Sequence, residues 1–272
     1  MTFPIDWNAP WLQGLQGLQA QGRAACLQVA QGRPVWQALQ SLADAQALPW
    51  RFVPQHDLPE GKAYEQFIFE TRCIPTRDNL HDFFNGLIWL RWPALKQRCN
   101  ALQARAIAQA GVGAQRGPLR DAVTVLDENG ALLLAPAALC EALRHRRWHQ
   151  LFVEQRALWR QARLLPIGHA LLEKLVQPRK PITAHVLCVH TDGAGATAGP
   201  ATADIDAWLA GSIWLEADTL ACKPFAPLPV LGVPGWCHEN ENFSFYDDSL
   251  VFRAPRSAQA SQQGMATAQD PA

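Results

Sequence analysis

Residues 76–92 read TRDNLHDFFNGLIWLRW, where polar side chains interrupt an otherwise apolar helical pattern. With a turn of about 100° per residue, Asn85 lies about 40° and Asp82 about 100° from His81, and Trp92 shares this arc. A buried polar group without a partner costs about 1–3 kcal/mol, so other side chains, water, a metal or a substrate must bind these three residues. The stretch therefore predicts a helix with a polar site on its buried face.

The composition is that of a globular protein with a substantial core, since 49% of the 272 residues are hydrophobic and 11 are tryptophan. The 24 basic and 24 acidic residues cancel, and the isoelectric point of the sequence is about 7.1. The chain thus has no overall field that would attract nucleic acid or a membrane surface. We do not expect it to bind nucleic acid.

The first residues, MTFPIDW, lack the basic start and apolar run of a secretory signal, and no later window approaches a membrane span of about 20 apolar residues. We therefore expect a cytoplasmic protein without a membrane segment. The seven cysteines form no C-x-x-C motif and no close pair. This pattern fits reduced thiols and argues against a zinc site built from cysteines.

The chain as a whole predicts a mainly helical α+β fold, formed by a single globular domain over residues 1–253. Residues 1–50 are expected to be a helical N-terminal part that packs on the core, with short helices around 10–20 and 34–47. Residues 254–272 are rich in Ser, Gln, Ala and Gly and are expected to be disordered.

A small β-sheet is expected within this fold. It includes a hairpin near 121–135, because two β-compatible runs flank a turn that ends in Asn129-Gly130. A buried strand is expected near 182–190, where both faces of the run are apolar.

Further helices follow from apolar periodicity and from capping residues. Thr76 or Asp78 can cap the helix that runs to Trp92. Residues 64–70 are expected to form a further regular element of secondary structure. Four more helices are expected over about 94–110, 136–147, 151–162 and 168–177.

Several blocks of the sequence carry a family resemblance. They are Tyr64-Glu65-Gln66 with Phe69-Glu70, Pro75 through Asn85, Arg120-Asp121-Ala122 followed by Asp127 through Gly130, Gly168 through Lys174, Thr183-Ala184-His185, and a late PLPVLGVPGW run. Over about residues 40–253 they resemble a bacterial domain-of-unknown-function family, the one numbered 3025. The resemblance implies a bacterial setting. Because the family is uncharacterised, the resemblance implies no activity and no catalytic residue.

His169 and Glu173 are four residues apart on a predicted helix and therefore lie on one face. A histidine and a carboxylate at this spacing could ligate one metal or form an acid–base pair, and Gly168 would let a ligand approach closely. An ordinary His–Glu helix pair is the alternative.

Two further polar residues lie on apolar elements. His185 is on the predicted strand, where it is either a satisfied core residue or a ligand. Asp121 begins the predicted hairpin and could pair with Arg77 or Arg120, or hold a metal.

Two functional hypotheses follow. In the first, these polar residues converge in one interior site of a hydrolase-type enzyme that acts on a small-molecule substrate, with or without a divalent metal. The catalytic candidates are His81, Asp82, His169, Glu173 and His185. The candidates for substrate binding are Arg77, Asn85, Arg120 and Asp121, of which the two arginines would bind an anionic group.

In the second hypothesis, the polar cluster is a structural network in a non-catalytic interaction protein. A surface for a protein partner would then be formed by seven tryptophans in terminal or irregular segments, since aromatic residues are enriched at interfaces. They are Trp7, Trp11, Trp36, Trp50, Trp208, Trp214 and Trp236. An open cavity lined by the cluster is expected of the enzyme, and a sealed cluster of the structural network.

Overall fold

The computed structural model describes residues 1–15, 17–110, 117–192 and 204–255. These residues form ten α-helices and six β-strands, joined by short 3₁₀ and π turns. The helices are α1 (Gln19–Ala30), α2 (Val35–Ala45), α3 (Tyr64–Thr71), α4 (Leu80–Arg91), α5 (Pro93–Ala110), α6 (Pro118–Asn129), α7 (Ala137–Arg144), α8 (His169–Leu175), α9 (Ile205–Ala210) and α10 (Ala217–Ala221). The strands are β1 (Arg51–Pro54), β2 (Cys73–Thr76), β3 (Gly130–Ala135), β4 (Arg163–Pro166), β5 (Thr183–His190) and β6 (Ala226–Pro229).

The strands form two sheets. β1 and β2 pair in parallel, and the larger sheet has the order β4-β3-β5-β6. Its central strands β3 and β5 are parallel, and each outer strand is antiparallel to its neighbour. The mainly helical α+β class is confirmed, and β5 is the buried strand expected near 182–190.

Both faces of the larger sheet are buried, because alternate residues of β3 enter two different hydrophobic clusters. Leu132 and Leu134 pack with residues of the N-terminal helices and α4. Ala131 and Leu133 pack with α7 and with the segment that ends at Phe252. Successive residues of a strand point to opposite faces, so burial on both sides requires an unbroken apolar run.

The hairpin expected near 121–135 is wrong in its first half. Residues Pro118–Asn129 form α6, with Pro118 at the start of the helix, where the missing N–H would have had no partner within the helix. Gly130 has a φ of −76°, whereas an Asn-Gly hairpin turn requires a positive φ. A Cβ at this position would lie 2.3 Å from the carbonyl oxygen of Leu126. The absence of a side chain at Gly130 therefore lets the backbone turn closely from α6 into β3.

The N-cap of α4 is Asn79 rather than Thr76 or Asp78. The Asn79 side-chain oxygen accepts a hydrogen bond from the backbone N–H of Asp82 at 2.7 Å. Asp78 accepts from the backbone N–H of Val35 at 2.7 Å instead. This contact ties the start of α2 to the residues that precede α4.

The remaining expectations were met to different degrees. The helices expected at 94–110, 136–147 and 168–177 correspond to α5, α7 and α8, and those near 34–47 and 64–70 to α2 and α3. Residues 151–162 instead form a π turn, Gln150–Glu154, and a 3₁₀ turn, Arg156–Gln161. A 3₁₀ turn, Pro10–Leu15, takes the place of the first N-terminal helix.

Five helices surround the site considered below. α4 packs against α8, α5 packs against both α3 and α6, and α6 also packs against α8. In the described ranges, no helix combines the length and the apolar character that crossing a membrane requires. Of the tail expected to be disordered, residues 256–272 lie outside the described residues.

Candidate active site

Side chains of these helices line an open cavity of about 440 Å³. This volume is typical of small-molecule sites, which range over about 300–1,000 Å³. The polar lining includes Tyr64 of α3, His81 and Asn85 of α4, Arg120 and Asp127 of α6, and His169 of α8. The predicted polar face of α4 therefore opens onto a cavity.

His81 connects α4 with α8 through both of its ring nitrogens. Its Nδ1 is 2.7 Å from Oε2 of Glu173, and its Nε2 is 3.0 Å from Nε2 of His169. The side chains of His81 and Glu173 are 35% and 37% exposed, whereas His169 is 5% exposed. The structure thus brings these three predicted residues together, and His169 and Glu173 both contact His81 instead of forming a simple helix pair.

Burial determines the charge of His169. It lowers the pKa of this residue to about 4, because the imidazolium loses its water. The carboxylate of Asp127, whose Oδ2 is 3.7 Å from Nδ1 of His169, acts in the opposite direction, whereas Lys96 and His81 lower the pKa further. At neutral pH His169 is therefore uncharged, with one nitrogen that donates and one that accepts.

A buried ion pair holds Asp127 beside His169. Lys96 Nζ lies 2.5 Å from Asp127 Oδ1 and 2.9 Å from Asn85 Oδ1, and the Asn85 amide donates to the Tyr64 hydroxyl at 3.2 Å. Burial alone would raise the pKa of Asp127, but Lys96 and His169 outweigh it and hold the pKa below its ordinary value. Asp127 is thus a carboxylate, and a chain of polar contacts runs from Glu173 to Tyr64.

Arg77 and Asp82 bind each other in the cavity wall. The carboxylate of Asp82 accepts hydrogen bonds from the backbone N–H of Arg77 at 2.7 Å, from Nε at 3.1 Å and from Nη2 at 2.9 Å. The hydrogen bonds to Asp82 raise the pKa of Arg77. Each charge is neutralised by the other, so Asp82 fixes the position of Arg77 and is poorly placed for proton transfer.

Arg120 lines the same cavity from α6. Its Nε is buried and has no hydrogen-bond partner among the residues that the structure describes. Both arginines expected to bind an anionic group therefore line the cavity, and Arg77 is the one whose position a carboxylate fixes.

Three of the predicted residues do not line this cavity: Glu173, which contacts His81, and the two residues His185 and Asp121, which lie apart from the pair. His185 lies on β5 with its ring centroid 6.3 Å from that of Phe225, and burial lowers its pKa. Asp121 forms an ion pair with Lys223, a partner that the sequence did not suggest. Neither residue lines the cavity, so the expectation that they share one cluster with His81 is wrong.

Asp127 was missed because Asp127 through Gly130 was interpreted as a hairpin turn. The signal was present in the helical spacing of α6, whose cavity-lining residues are Arg120, Thr124, Asp127 and Glu128. These positions follow the i, i+4, i+7, i+8 pattern of one helix face.

Lys96 was missed because a lysine is rarely buried. It belongs to a polar row on α5 with Asn100 and Gln103, and all three residues are buried. Their i, i+4, i+7 spacing is again that of a single helix face. A polar row of this kind on a long helix is a usable signal for a buried site.

Among the described residues, no three His, Cys, Asp or Glu side chains are arranged to hold a metal ion. The histidines and carboxylates contact one another and Lys96 instead. The contacts present are those of His81 with Glu173 and with His169, and of Lys96 with Asp127.

Of the seven tryptophans proposed as a partner surface, two are buried and five are partly exposed. Trp7 and Trp50 are buried in the core, and the other five are partly buried against the two hydrophobic clusters. Trp11, for example, packs on Trp236 with ring centroids 6.2 Å apart. The tryptophan-rich interaction surface therefore stays a prediction, and the five partly exposed side chains also pack on the core.

The family model described as "Protein of unknown function (DUF3025)" matches residues 50–256, and the chain belongs to this family. The resemblance noted in the sequence is confirmed, with a start at residue 50 instead of about 40. All of the cavity residues named above lie within the matched range. No curated protein and no solved structure matches the chain.

Proposed function

We propose that the protein is a hydrolase-type enzyme of the bacterial cytoplasm, with a single catalytic domain, in which His81 and His169 act as an acid–base pair on a small polar substrate. One observation carries the proposal: the polar cluster lines an open cavity of about 440 Å³. A purely structural network would be expected to be sealed, because it gains nothing from contact with solvent.

The contacts assign a role to each member of the pair. Glu173 holds His81 through Nδ1, which directs Nε2 of His81 towards His169. A carboxylate that orients a catalytic imidazole in this way also stabilises its protonated form. Asp127 lies on the other side of His169, so each imidazole has its own carboxylate.

The cavity wall favours a substrate with an anionic group near the bond that reacts. Arg120 and Arg77 both line the cavity, and Asp82 holds Arg77 in place. An arginine presents its donors in a planar fork that suits carboxylates and phosphates.

A panel of chromogenic substrates tests the proposal. The panel contains p-nitrophenyl acetate, p-nitrophenyl phosphate and bis-p-nitrophenyl phosphate. Turnover of one of them should fall by about 10²-fold or more in His81→Gln and in His169→Gln, because general acid–base catalysis contributes about 10²–10⁴-fold. His185→Gln is the matched control, since this histidine is partly buried but lies outside the cavity.

An equal loss in all three variants, or unchanged turnover in His81→Gln, would contradict the proposal. If none of the chromogenic compounds is a substrate, a second measurement is used. The NMR signals of the histidine rings are followed during titration with a library of small anionic fragments. If no substrate is turned over and no fragment moves the signals of His81 and His169, the cavity is not a substrate site and the proposal fails.

A further inference from the structure

Acidic and basic side chains line the cavity of the proposed active site in addition to its two histidines. They are Glu65, Arg77, Asp82, Arg120, Asp127 and Glu128. A charge that already has a partner of opposite sign within the protein adds little to the recognition of a ligand, whereas an unpaired charge attracts a ligand group of opposite sign. The unpaired charges of the lining therefore indicate what the cavity can bind.

Four of these six side chains have partners within the protein. Arg77 and Asp82 form an ion pair, and Asp127 forms one with Lys96. The carboxylate of Glu65 accepts a hydrogen bond of 2.7 Å from an amide side chain of α5. The contacts of these four groups are internal and fix the shape of the cavity wall.

Arg120 and Glu128 are the two that remain. In the part of the chain that the structure describes, neither side chain has an ion-pair partner or a hydrogen bond, and both are half-buried. A charge that has lost part of its water is stabilised by a partner of opposite sign. The lining thus offers one positive and one negative group to a ligand.

The geometry of α6 keeps these two charges apart. Arg120 and Glu128 share the helix face that lines the cavity, and their eight-residue spacing separates them by about 12 Å along the axis, at about 1.5 Å per residue. Side chains pair along a helix at spacings of three or four residues. Between them lies the short side chain of Thr124, whose hydroxyl donates to the backbone carbonyl of Arg120 at 2.9 Å. The two charges therefore do not neutralise each other.

We propose that the cavity binds a dipolar molecule, whose anionic group contacts Arg120 and whose cationic amine contacts Glu128. A guanidinium suits a carboxylate or a phosphate, and a carboxylate accepts a charge-assisted hydrogen bond from an ammonium group. The apolar side chains of the lining, Leu58, Ala63 and Ile107, suit a hydrocarbon spacer between the two charged ends. The inference names the substrate class of the proposed enzyme, and it rests on the proposed function for the statement that this molecule is a substrate.

Glu128 makes the cavity selective among anions. A molecule with a negative charge at each end would place one of them beside the Glu128 carboxylate, and like charges in contact are strongly disfavoured. A molecule with a single charge would leave either Arg120 or Glu128 without a counter-ion. Both arguments favour an amino acid with well-separated charged groups over a dicarboxylate, a monocarboxylate or a monoamine.

Isothermal titration calorimetry with the natural chain tests the inference without turnover. The probes are linear ω-amino acids of increasing length, from β-alanine to ω-aminocaprylate, each compared with the monocarboxylate and the monoamine of the same chain length. We expect the best-fitting amino acid to bind about tenfold or more tightly than both of its singly charged analogues, because each end adds a charge-assisted contact. If no amino acid of the series binds more tightly than both analogues, the inference is overturned.

Two variants that remove one charge each identify the residues. Glu128→Gln should abolish the preference for the amino acid over the monocarboxylate, and Arg120→Gln should abolish the preference over the monoamine. The matched control is Glu154→Gln, which removes an exposed carboxylate outside the cavity and should retain both preferences. Preferences that survive in Glu128→Gln and in Arg120→Gln would place the ligand elsewhere and overturn the inference.

A second measurement on the natural chain decides the location even if a variant does not fold. His169 lines the same cavity as Arg120 and Glu128, so its ring signals in the NMR spectrum should move when the best-fitting amino acid is added. The signals of His185, which lies outside the cavity, should stay in place. Binding that leaves the His169 signals unmoved would contradict the proposed site.

Failure of this inference and failure of the proposed function are distinguishable. Binding of an amino acid that depends on Arg120 and Glu128, without turnover of any chromogenic substrate, would remove the enzyme and keep the ligand site. Turnover that depends on both histidines, without a preference for any amino acid of the series, would keep the enzyme and remove the substrate class.

Discussion

Gly168 lies directly against the backbone of Glu128, at the point where the start of α8 meets the end of α6. A Cβ at position 168 would be 2.4 Å from the carbonyl oxygen of Glu128. The sequence suggested that this glycine allows the approach of a ligand. It allows the approach of another helix instead, and this approach places His169 beside Asp127.

We expect Gly168→Ala to lower the free energy of unfolding by about 1–3 kcal/mol, the usual cost of overpacking. The atoms in the way belong to the backbone and cannot rotate aside. Gly211→Ala is the control, since a Cβ there would make only contacts of 3.6 Å or more, and its effect should stay within about 0.5 kcal/mol. Urea denaturation measures both variants, and equal effects would show that the close approach is unimportant.

Lys96 and Asp127 should be strongly coupled in stability. Lys96→Met leaves the Asp127 carboxylate without its cation in a largely buried position, and removing one partner of a buried pair costs about 3–5 kcal/mol. The double variant Lys96→Met/Asp127→Leu should be more stable than the sum of the single changes predicts. A double-mutant cycle measures this coupling, and additive effects would disprove it.

Stability should depend on pH through His169. In the unfolded chain its pKa has the ordinary value of 6.5, and in the folded chain burial lowers it to about 4. Between these values the unfolded chain binds a proton that the folded chain does not, so stability falls as the pH falls from 6.5 to 4. The loss should reach about 3 kcal/mol, at 1.36 kcal/mol per unit of pKa. His169→Gln should lose less stability over this range, and parallel curves for the two proteins would refute the prediction.

The geometry of the Arg77–Asp82 pair predicts that replacement of Arg77 by lysine lowers stability. Arg77→Lys keeps the charge but loses the forked contact made by Nε and Nη2, so we expect a loss of about 1 kcal/mol in stability, as for a single hydrogen bond. Arg163→Lys, an exposed site on β4, is the control. Thermal unfolding compares the two, and equal melting temperatures would speak against a role for the fork.

The sequence predicted the parts of the site that depend on one element at a time. His81 and Asn85 were predicted because a polar group on an apolar helix face is conspicuous. His169 and Glu173 were predicted because residues four apart lie about one helical turn from each other, on the same face. The pairing of α4 with α8 did not follow from either pattern. Periodicity shows which face of an element is buried but not which other element covers it.

The errors have a similar origin. His185 lies on an apolar strand and seemed equivalent to the other histidines, yet the register of β5 directs it to Phe225, away from the cavity. Asp127 was assigned to a turn because Asn129-Gly130 is a strong hairpin signal, and the tertiary need for a glycine beside Leu126 outweighed it. Local signals fail where a contact between distant segments determines the residue.

The position of β6 at the outer edge of the larger sheet has a consequence for self-association. The backbone N–H of Val230 donates inwards to the carbonyl of Ile182, and successive residues of a strand alternate in direction. The nitrogens of Pro227 and Pro229 therefore face outwards, and proline carries no N–H there. A second chain that approached this edge would find no donor at either position, so these two prolines disfavour extension of the sheet along β6.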